Sequence, residues 1–296
     1  MDRSTDRPAR PPRPGLLNEV SLEITGKDAE ALRQAAPLVD SGTRINVTYL
    51  ASEEPGRRIE AARLIRELGL RPVPHVSARR LRSHQELEEY LAALARAGAS
   101  EEIFVVGGDP SEPEGPFPDA LSVITSGVLT DGGVRHVGIA GYPEGHPKID
   151  EVCLQEALAK KWAALQEQGI ECAVTTQFGF DSAAVLTWTE QLRESGITCP
   201  VRVGVPGPAG VQRLLRYARR FGARSSAGIV QKYGFSLTGL LRTAGPDRFI
   251  EDLAAGLDVE RHGEVSLHFY TFGGVQTTAE WITTARTRPG EHRAER

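Results

Sequence analysis

The stretch PVPHVSARRLRSHQELEEYLAALARAGASEEIFVVGGD, residues 72–109, contains one complete strand–helix–strand unit. Two β-branched runs within it, Pro72–Ser77 and Glu102–Val106, have the length and composition of buried strands. Between them, apolar residues recur at i, i+3, i+4 and i+7, the spacing of one helix face: Leu87, Tyr90, Leu91 and Leu94. Ser83 and Glu86 match a capping box just before that face. Strands joined by a helix pair in parallel, so this unit predicts a parallel sheet.

The same unit recurs along the chain. Eight β-branched runs are separated by helical segments and by glycine, asparagine or aspartate: Glu19–Thr25, Arg44–Leu50, Pro72–Ser77, Glu102–Val106, His136–Tyr142, Ala173–Phe178, Val201–Val205 and Val265–Thr271. Eight strand–helix repeats in one chain predict an α/β fold, a closed (β/α)8 TIM-type barrel. The rival fold, a doubly wound Rossmann sheet, requires a G-x-G-x-x-G turn after the first strand. Residues 23–27 read EITGK instead, so the barrel is favoured.

We expect one folded domain between two tails. Residues 1–14 hold four Arg, two Asp and four Pro, a composition that cannot bury enough apolar surface to fold. They are predicted to form a disordered Pro/Arg-rich tail, residues 15–285 the catalytic barrel, and residues 286–296 a flexible tail. Between Arg224 and Gly263 two helical stretches precede the eighth strand, which predicts an elaborated crossover.

Composition and charge argue against several classes of protein. The chain has 296 residues and a net charge of −4; residues 1–14 and 284–296 each carry +2, so the rest carries −8. An acidic body argues against a nucleic-acid partner. No apolar run approaches the ~20 residues that span a bilayer, so we expect a soluble, cytoplasmic protein with no membrane partner. Cys153, Cys172 and Cys199 lack CxxC spacing, which argues against a disulfide framework or a cysteine zinc site.

Polar residues at the ends of apolar strands mark the expected site, because the chemistry of a barrel lies at the carboxyl ends of its strands. Glu23 and Asp109 are carboxylates at these ends. One could be held protonated by burial while the other is ionised, as general acid chemistry requires, or each could cap a loop or pair with an arginine. His75, His146 and His268 could converge, but no close metal-ligand spacing accompanies them, so no metal is predicted.

Segments at these strand ends, in the same order along the chain, resemble the catalytic barrel of the methylenetetrahydrofolate reductase family. They are Val20–Glu23, Val47–Tyr49, Pro74–His75, Gly108–Asp109, Tyr142–Pro147, Thr176–Phe178 with Phe180–Asp181, and His268–Thr271. The resemblance covers residues 16–285. It implies a (β/α)8 barrel that reduces 5,10-methylenetetrahydrofolate to 5-methyltetrahydrofolate with NADH or NADPH, usually with FAD, in the one-carbon metabolism that serves methionine biosynthesis.

The resemblance also implies roles for individual residues. Glu23 would be the general acid, because opening the methylene bridge to an N5 iminium requires a proton at N10, and a poorly solvated site keeps such an acid protonated. Folate binding falls to Asp109, Gln177, Phe178 and Tyr270, which offer hydrogen bonds to the pterin edges or a ring to stack on its face. Gln177 could instead only tie a loop, and Phe178 only fill the barrel. Cofactor binding falls to Thr48, Tyr49, His75, Gly108, Tyr142, His146 and Lys161.

The sequence departs from the family on the flavin side. Gly107 stands where FAD-binding members have an arginine, and Phe272–Gly274 replaces a Leu-Asn-Arg segment. Along Leu154–Lys161 the family's asparagine becomes apolar, its aspartate becomes Gln or Glu, and its basic pair remains only as Lys160 and Lys161. Losing two guanidinium groups would weaken FAD binding by about 3–6 kcal/mol. We therefore predict that FAD is absent and that NADH or NADPH passes its hydride directly to the folate.

Three other functions stay open at this point. The first is an ordinary FAD-dependent reductase of the same family, and the second is a non-catalytic barrel that binds folate. Glu23 argues against the second, because binding a pterin does not require the acid. The third is a corrinoid-linked methyltransferase, which has little support because the sequence contains no recognisable cobalamin module. Both directions of the reaction, and a homo-oligomer, are compatible with the sequence.

Overall fold

The computed structural model describes residues 15–50, 53–220 and 243–287. Its strands are β1 Val20–Ile24, β2 Arg44–Val47, β3 Arg71–Ser77, β4 Glu102–Val106, β5 His136–Gly141, β6 Glu171–Thr176, β7 Val201–Pro206, β8 Ala209–Gly210, β9 Thr243–Ala244 and β10 Val265–Tyr270. Its helices are α1 Ala29–Ala35, α2 Pro55–Glu67, α3 His84–Arg96, α4 Ala120–Ile124, α5 Val128–Asp131, α6 Glu151–Glu167, α7 Ser182–Glu194, α8 Val211–Arg220, α9 Asp247–Gly256, α10 Val259–His262 and α11 Val275–Thr287. The predicted tail 1–14 and residues 288–296 of the other tail lie outside the described residues.

Eight of these strands close into one parallel barrel, in the order β1-β10-β7-β6-β5-β4-β3-β2. The predicted (β/α)8 barrel is therefore confirmed. Individual strand ends differ from the prediction by a few residues. β6, for example, ends at Thr176 instead of Phe178, and the Phe178 N–H bonds to the side chain of Gln177.

The connection before the last barrel strand is elaborated, as predicted. β8 pairs with β9 in an antiparallel arrangement, and α9 and α10 follow before β10 enters the barrel. Residues 221–242 of this connection lie outside the described residues. None of the helices in the described ranges combines the length and the hydropathy that a bilayer crossing demands.

The start of α3 shows how local sequence fixes a helix boundary. Ser83 is extended, and its hydroxyl accepts the Glu86 N–H at 3.1 Å, as the capping-box pattern predicts. The reciprocal bond was predicted wrongly. The Glu86 carboxylate accepts the Arg82 N–H at 2.7 Å, one residue before the expected donor, Ser83.

Alternation along the barrel strands separates an apolar outer layer from a polar interior. The outer positions are buried between strands and helices and include Leu22, Ile103, Val137, Ile139, Val174 and Val203. The interior positions, which share a face through the strand register, include Ser21, Glu23, Arg44, Asn46, His75, Glu102, Arg202 and His268. Polar groups enclosed in this way need partners inside the barrel.

Three charged residues fill the end of the interior where the strands begin. The Glu102 carboxylate accepts from Arg44 Nε at 3.0 Å and from Arg202 Nη1 at 2.9 Å. Burial alone would raise the pKa of Glu102, but Arg202 and Arg44 outweigh burial and hold that pKa below its ordinary value. This end of the barrel is thus occupied by a buried, ionised cluster.

We expect Glu102→Leu to lower the free energy of unfolding by about 3–5 kcal/mol, because it leaves the buried Arg202 and the partly buried Arg44 without their counterion. Urea unfolding at pH 7 measures the change. Glu171→Gln is the matched control: its carboxylate pairs with His136 at 3.2 Å but is 79% exposed, so the loss should stay below about 0.5 kcal/mol. Equal losses in the two variants would contradict the importance of the buried cluster.

Candidate active site

The candidate site lies inside the barrel at the end where the strands terminate. The side chain of Glu23 on β1 is 17% exposed, and its Oε2 faces two imidazoles. Nε2 of His75 on β3 lies 3.7 Å away, and Nε2 of His268 on β10 lies 3.6 Å away. The structure therefore brings together two residues predicted for the site, Glu23 and His75, with His268, which the sequence had suggested as a candidate metal ligand and as part of the family segment His268–Thr271.

His75 is buried and held from several sides. Asn46 Nδ2 lies 3.4 Å from its Nε2, and the Phe104 ring packs with its centroid 4.8 Å from that of the imidazole. Arg58 donates to the backbone carbonyl of His75 at 3.0 Å. Burial is the main cause that lowers the pKa of His75 from 6.5 to about 4; Glu23 opposes the shift, and the nearby imidazole and guanidinium reinforce it. His75 is therefore neutral at pH 7.

His268 is completely buried. Its Nδ1 lies 2.9 Å from Ser21 Oγ, which in turn lies 3.4 Å from the carbonyl oxygen of Leu267. Its Nε2 has no hydrogen-bond partner among the described residues and faces Glu23. Because an unpaired buried polar atom is costly, this contact is a candidate for chemistry.

Tyr270 and Phe178, the two predicted stacking rings, pack against each other. Their centroids are 5.3 Å apart in an edge-on arrangement, and Phe178 also contacts Phe272 at 5.0 Å. The Tyr270 hydroxyl donates to the Thr176 carbonyl at 3.1 Å, and burial, aided by Glu23, raises the pKa of Tyr270 well above its ordinary value. Phe178 is only 7% exposed, so Tyr270 presents the more accessible ring.

Gln177 lies in the loop after β6. Its backbone N–H donates to the Gly141 carbonyl at 2.8 Å, and its side-chain Oε1 accepts the Phe178 N–H at 3.0 Å. The loop contact considered as the alternative for this residue is therefore present. It engages the oxygen of the amide, so the NH2 group is the end that can donate to a ligand.

Asp109 is exposed in the loop after β4. The preceding Gly108 has a φ of +96°, and a Cβ there would overlap Ser77 Oγ, so only glycine fits this turn. The Arg79 N–H donates to the carbonyl of residue 107 at 2.9 Å and ties this loop to the end of β3. The two predicted carboxylates thus differ in environment, because Glu23 is enclosed whereas Asp109 faces solvent.

Thr48 and Tyr49 follow β2 at the same end of the barrel. The Thr48 N–H donates to the Ile24 carbonyl at 2.9 Å and continues the pairing of β1 with β2. The guanidinium carbon of Arg58 lies 4.4 Å from the Tyr49 ring centroid and 5.0 Å from that of Tyr90. Arg58 is 8% exposed, so a buried cation lies behind Tyr49 at this part of the barrel mouth.

A cleft of about 1040 Å³ opens between the loop after β5 and the first turns of α6 and α7; its lining includes Tyr142, Glu144, His146, Leu158 and Trp188. The Tyr142 and His146 rings pack edge-on at 5.2 Å. Burial raises the pKa of Tyr142, whereas burial and Lys148 lower that of His146. Both predicted residues therefore lie in one accessible cavity beside the barrel mouth.

Glu144 has a structural task in this cleft. Its Oε1 accepts the Phe180 N–H at 2.6 Å and the Asp181 N–H at 2.9 Å, just before α7 begins. A Cβ on Gly179 would lie only 2.5 Å from the same oxygen, so a larger residue at that position would displace the Glu144 carboxylate. Glu144 therefore fixes the loop after β6 onto the loop after β5.

The basic pair on α6 is directed away from this cleft. Lys161 is half-buried, and burial lowers the pKa of its ammonium to about 8, against the opposing effects of Cys172 and Asp119. Lys160 is exposed and pairs with Glu156 at 2.9 Å. Neither lysine lines the cleft, so the predicted cofactor-binding role of Lys161 remains a prediction.

Sequence reasoning missed three residues that surround the predicted ones: Ser21, Asn46 and Arg58. A signal for Ser21 was available, because it stands two residues before Glu23 on the same strand and so points to the same face. Asn46 is a polar residue in the otherwise apolar end of β2, Ile45–Val47. Arg58 gave no signal, since an arginine on an amphipathic helix is ordinarily exposed.

Three histidines were candidate metal ligands in the sequence, and two of them converge in the structure. His75 and His268 meet at Glu23, whereas His146 lies in the cleft beside the mouth. The described ranges contain no group of three His, Cys, Asp or Glu side chains arranged to hold a metal ion.

Comparison with known proteins identifies relatives of this chain. The sequence model of the family described as "Methylenetetrahydrofolate reductase" matches residues 24–284. Among curated proteins, "Methylenetetrahydrofolate reductase (NADH) 1" of Arabidopsis thaliana is 26% identical over 136 residues, which cover 42% of this chain and 23% of that protein. The match therefore spans less than a quarter of that relative's length.

Solved structures resemble the chain more weakly. Dihydropteroate synthase (FolP) from Thermus thermophilus is 16% identical with a TM-score of 0.46, over 92% of this chain and 96% of that one. A putative phosphonomutase from Burkholderia cenocepacia is 13% identical with a TM-score of 0.49, over 91% of each chain. These likenesses add nothing to the barrel topology already described.

We expect His75 to make the protein less stable in acid. Its pKa is about 4 in the folded state against 6.5 as the ordinary value, so between these pH values the unfolded chain binds the extra proton and stability falls as pH falls. The loss through His75 should be about 2 kcal/mol between pH 7 and pH 5. Urea unfolding at both pH values should show a difference smaller by that amount in His75→Gln than in the wild type. His136→Gln controls for removal of a half-exposed histidine, and an unchanged difference in His75→Gln would contradict the assignment.

Proposed function

Because the chain belongs to the methylenetetrahydrofolate reductase family, we propose that it reduces 5,10-methylenetetrahydrofolate to 5-methyltetrahydrofolate with a nicotinamide dinucleotide as hydride donor. The observation that carries this proposal is Glu23, a carboxyl enclosed at the barrel mouth between two imidazoles. A barrel that only bound folate would not need an acid in this position.

Glu23 supplies the proton that the reaction requires. The bridging carbon of the substrate is bonded to N5 and N10, and protonation of N10 lets the carbon–N10 bond break to leave an N5 iminium. Hydride from C4 of the nicotinamide then adds to that carbon and completes the methyl group. Each turnover removes one proton from Glu23, and because the side chain is 17% exposed, solvent can restore it.

Residues around the mouth bind the pterin. The NH2 group of Gln177 donates to the amide edge, and Asp109 accepts from the amino-pyrimidine edge. Tyr270 offers the accessible ring for stacking, and Phe178 supports it from behind at 5.3 Å. We assign the dinucleotide to the other side of the mouth, at Thr48, Tyr49 and Gly108, and to the cleft beside it, at Tyr142 and His146.

We further infer that the hydride passes directly, without FAD. The family places its flavin ribose and phosphate contacts on the helix that corresponds to α6. Here that helix presents Leu154, Gln155 and Leu158 to the cleft, while its two lysines lie elsewhere. The residues present therefore do not supply the paired cations that hold a flavin pyrophosphate.

The charge of the cleft supports the same inference. Its lining contains four carboxylates and a single lysine: Glu144, Asp150, Glu151, Asp181 and Lys148. A resident flavin requires tight binding, whereas a dinucleotide used as a substrate needs only a KM of about 1 μM to 1 mM and tolerates fewer anchors. The carboxylates also oppose the additional phosphate of NADPH, which favours NADH as the donor.

The loop after β10 cannot carry the family's Leu-Asn-Arg segment on its present backbone. A Cβ on Gly273 would overlap the Pro208 carbonyl oxygen, so residue 273 must be glycine. Arg213 on α8 donates to the Phe272 carbonyl at 2.8 Å and holds this loop in place. The backbone of this loop thus differs from the one that carries the family's arginine, and a single substitution to arginine would not restore the flavin contact.

We expect Glu23→Gln to lower kcat by about 10²–10⁴-fold while KM for folate and NADH changes little, because glutamine keeps the shape of the side chain but delivers no proton. Steady-state assays with 5,10-methylenetetrahydrofolate and NADH measure both parameters. Asp109→Asn is the comparison variant and should act partly on the folate KM. A Glu23→Gln rate above about half of the wild-type rate would remove Glu23 from the acid role, and an Asp109→Asn enzyme with unchanged KM and kcat would remove Asp109 from the pterin site.

We expect the purified protein to be colourless and to oxidise NADH with methylenetetrahydrofolate in the absence of added FAD. Direct transfer requires both ligands to be bound at once with reacting atoms ~3–3.5 Å apart, so double-reciprocal plots should intersect. Deuterium at the transferred C4 position should reach the product methyl group without loss to water.

Three results would count against direct transfer. Parallel double-reciprocal lines would indicate that NAD⁺ leaves before folate binds, as a flavin intermediary permits. Activity that appears only after FAD is added would restore the flavin. Washout of the deuterium label would point to an exchangeable N–H carrier between donor and product. Each result would leave the reductase assignment itself standing.

A further inference from the structure

Two buried thiols lie side by side at the end of the barrel where the strands begin, opposite the candidate active site. Cys172 is the second residue of β6, and Cys199 stands two residues before β7. Each residue is 8% exposed and carries a free thiol. We propose that Cys172 and Cys199 form a peroxide-sensitive dithiol, in which Cys199 is oxidised first and Cys172 then closes a reversible disulfide.

The register of two neighbouring strands sets the cysteines opposite each other. Val174 of β6 pairs with Val201 of β7, and the Val174 N–H donates to the Pro200 carbonyl at 2.9 Å. Counting back two residues along each chain brings Cys172 opposite Cys199, on the same face as Val174. Neighbouring strands lie ~4.8 Å apart, within the Cα separation of ~4.4–6.8 Å that a disulfide requires. The backbone therefore already permits the bond.

The two sulfurs differ in character. The Cys172 thiol donates a hydrogen bond to the Cys199 sulfur, and this bond lowers the pKa of Cys199 against the opposing effect of burial; Arg193 lowers it further. The same hydrogen bond, together with burial, raises the pKa of Cys172. Because a thiolate attacks an oxidant and a thiol does not, Cys199 is the sulfur that reacts first.

Arg193 on α7 is placed to stabilise negative charge on Cys199. Its Nη1 donates to the carbonyls of Ile197 and Cys199, each at 2.8 Å, and its Nε donates to the His262 carbonyl at 2.8 Å. Nη2 is buried and has no hydrogen-bond partner within the described part of the chain. An unpaired buried donor is costly, and a thiolate at Cys199 offers this guanidinium a negative partner in addition to the nearby Glu264.

Two further cations act on Cys172 without reversing this order. Lys161 on α6 and Arg202 on β7 oppose the rise in the pKa of Cys172, but the hydrogen bond to Cys199 and burial outweigh them. Arg202 is already paired with Glu102 at 2.9 Å. The surrounding cations favour a thiolate in this pair, and the hydrogen bond between the thiols decides which sulfur carries the charge.

The oxidation is balanced with hydrogen peroxide as the oxidant. The Cys199 thiolate attacks one peroxide oxygen, so that an S–O bond forms, the O–O bond breaks, and hydroxide leaves and is protonated to water. The Cys172 sulfur then attacks the sulfenic acid, an S–S bond forms, the S–O bond breaks, and a second water leaves with the thiol proton. The two sulfurs together lose two electrons, and a small-molecule dithiol such as dithiothreitol returns them.

Counting thiols tests the proposal without any enzymatic assay. The full-length Cys153→Ser chain, which lacks the exposed cysteine, is reduced, treated with a small excess of hydrogen peroxide, and titrated after denaturation. We expect two thiols per chain before treatment, none after it, and two again after dithiothreitol. Trypsin should release peptides 162–193 and 194–202 joined by one disulfide, because Arg193 separates the two cysteines in sequence.

Three results would overturn the disulfide. The first is survival of both thiols under peroxide, and the second is loss of thiols that dithiothreitol does not reverse. The third is a disulfide between two chains, which a non-reducing gel shows as a dimer. In the wild type, Cys153 is the internal control, and its peptide should stay outside the disulfide.

The order of reaction is tested in the same Cys153→Ser background. With Cys172→Ala, peroxide should leave a sulfenic acid on Cys199 that dimedone traps, whereas Cys199→Ala should leave Cys172 unlabelled. Brief iodoacetamide treatment of the parent Cys153→Ser chain gives the same information without altering the pair, and Cys199 should be alkylated at least about 10-fold faster than Cys172. Equal rates, or dimedone on Cys172 instead of Cys199, would overturn the assignment of Cys199 as the attacking sulfur.

Discussion

Closure of the barrel is the constraint on which the rest of this structure depends. Once eight parallel strands form a closed ring, every second side chain of each strand points into one shared interior. A polar group there loses water and must find its partner on another strand. At the end where the strands begin, Glu102 pairs with Arg44 and Arg202. At the opposite end, Glu23 faces His75 and His268.

The polar interior also depends on positions that have no side chain. A Cβ on Gly138 would overlap the Phe104 ring, so this glycine on β5 is what lets the phenylalanine lie across the barrel. Phe104 then packs against His75 at 4.8 Å and excludes water from one side of the imidazole. Burial of that ring is the main cause of its low pKa. The glycine at position 138 of β5 thus affects the surroundings of Glu23 on β1 through two packed rings, Phe104 and His75.

Periodicity was sufficient to predict the barrel, because strand and helix patterns are local and repeat along the chain. The order of strand ends was sufficient to place Glu23 and His75 at one end. The roles of Ser21 and Asn46 could not be predicted, since they depend on which residues face each other across strands, and register is fixed only when the barrel closes. The burial of the Lys161 side chain was missed for a related reason. The sequence gives the position of Lys161 on α6 but not the direction in which its side chain points.

The two interior carboxyls show that the partner decides what a buried acid does. Around Glu102 the partners are guanidinium groups, which carry their charge at any physiological pH, so this carboxylate is locked in its ionised form and serves packing. Around Glu23 the partner His75 loses its charge through burial, so it offers the carboxyl no permanent cation. A carboxyl that serves as a general acid cannot be held by a permanent counterion of this kind, because it must give up and regain a proton in every turnover. Exchanging imidazole for guanidinium would therefore convert the site at the mouth into a second structural cluster without moving the carboxyl.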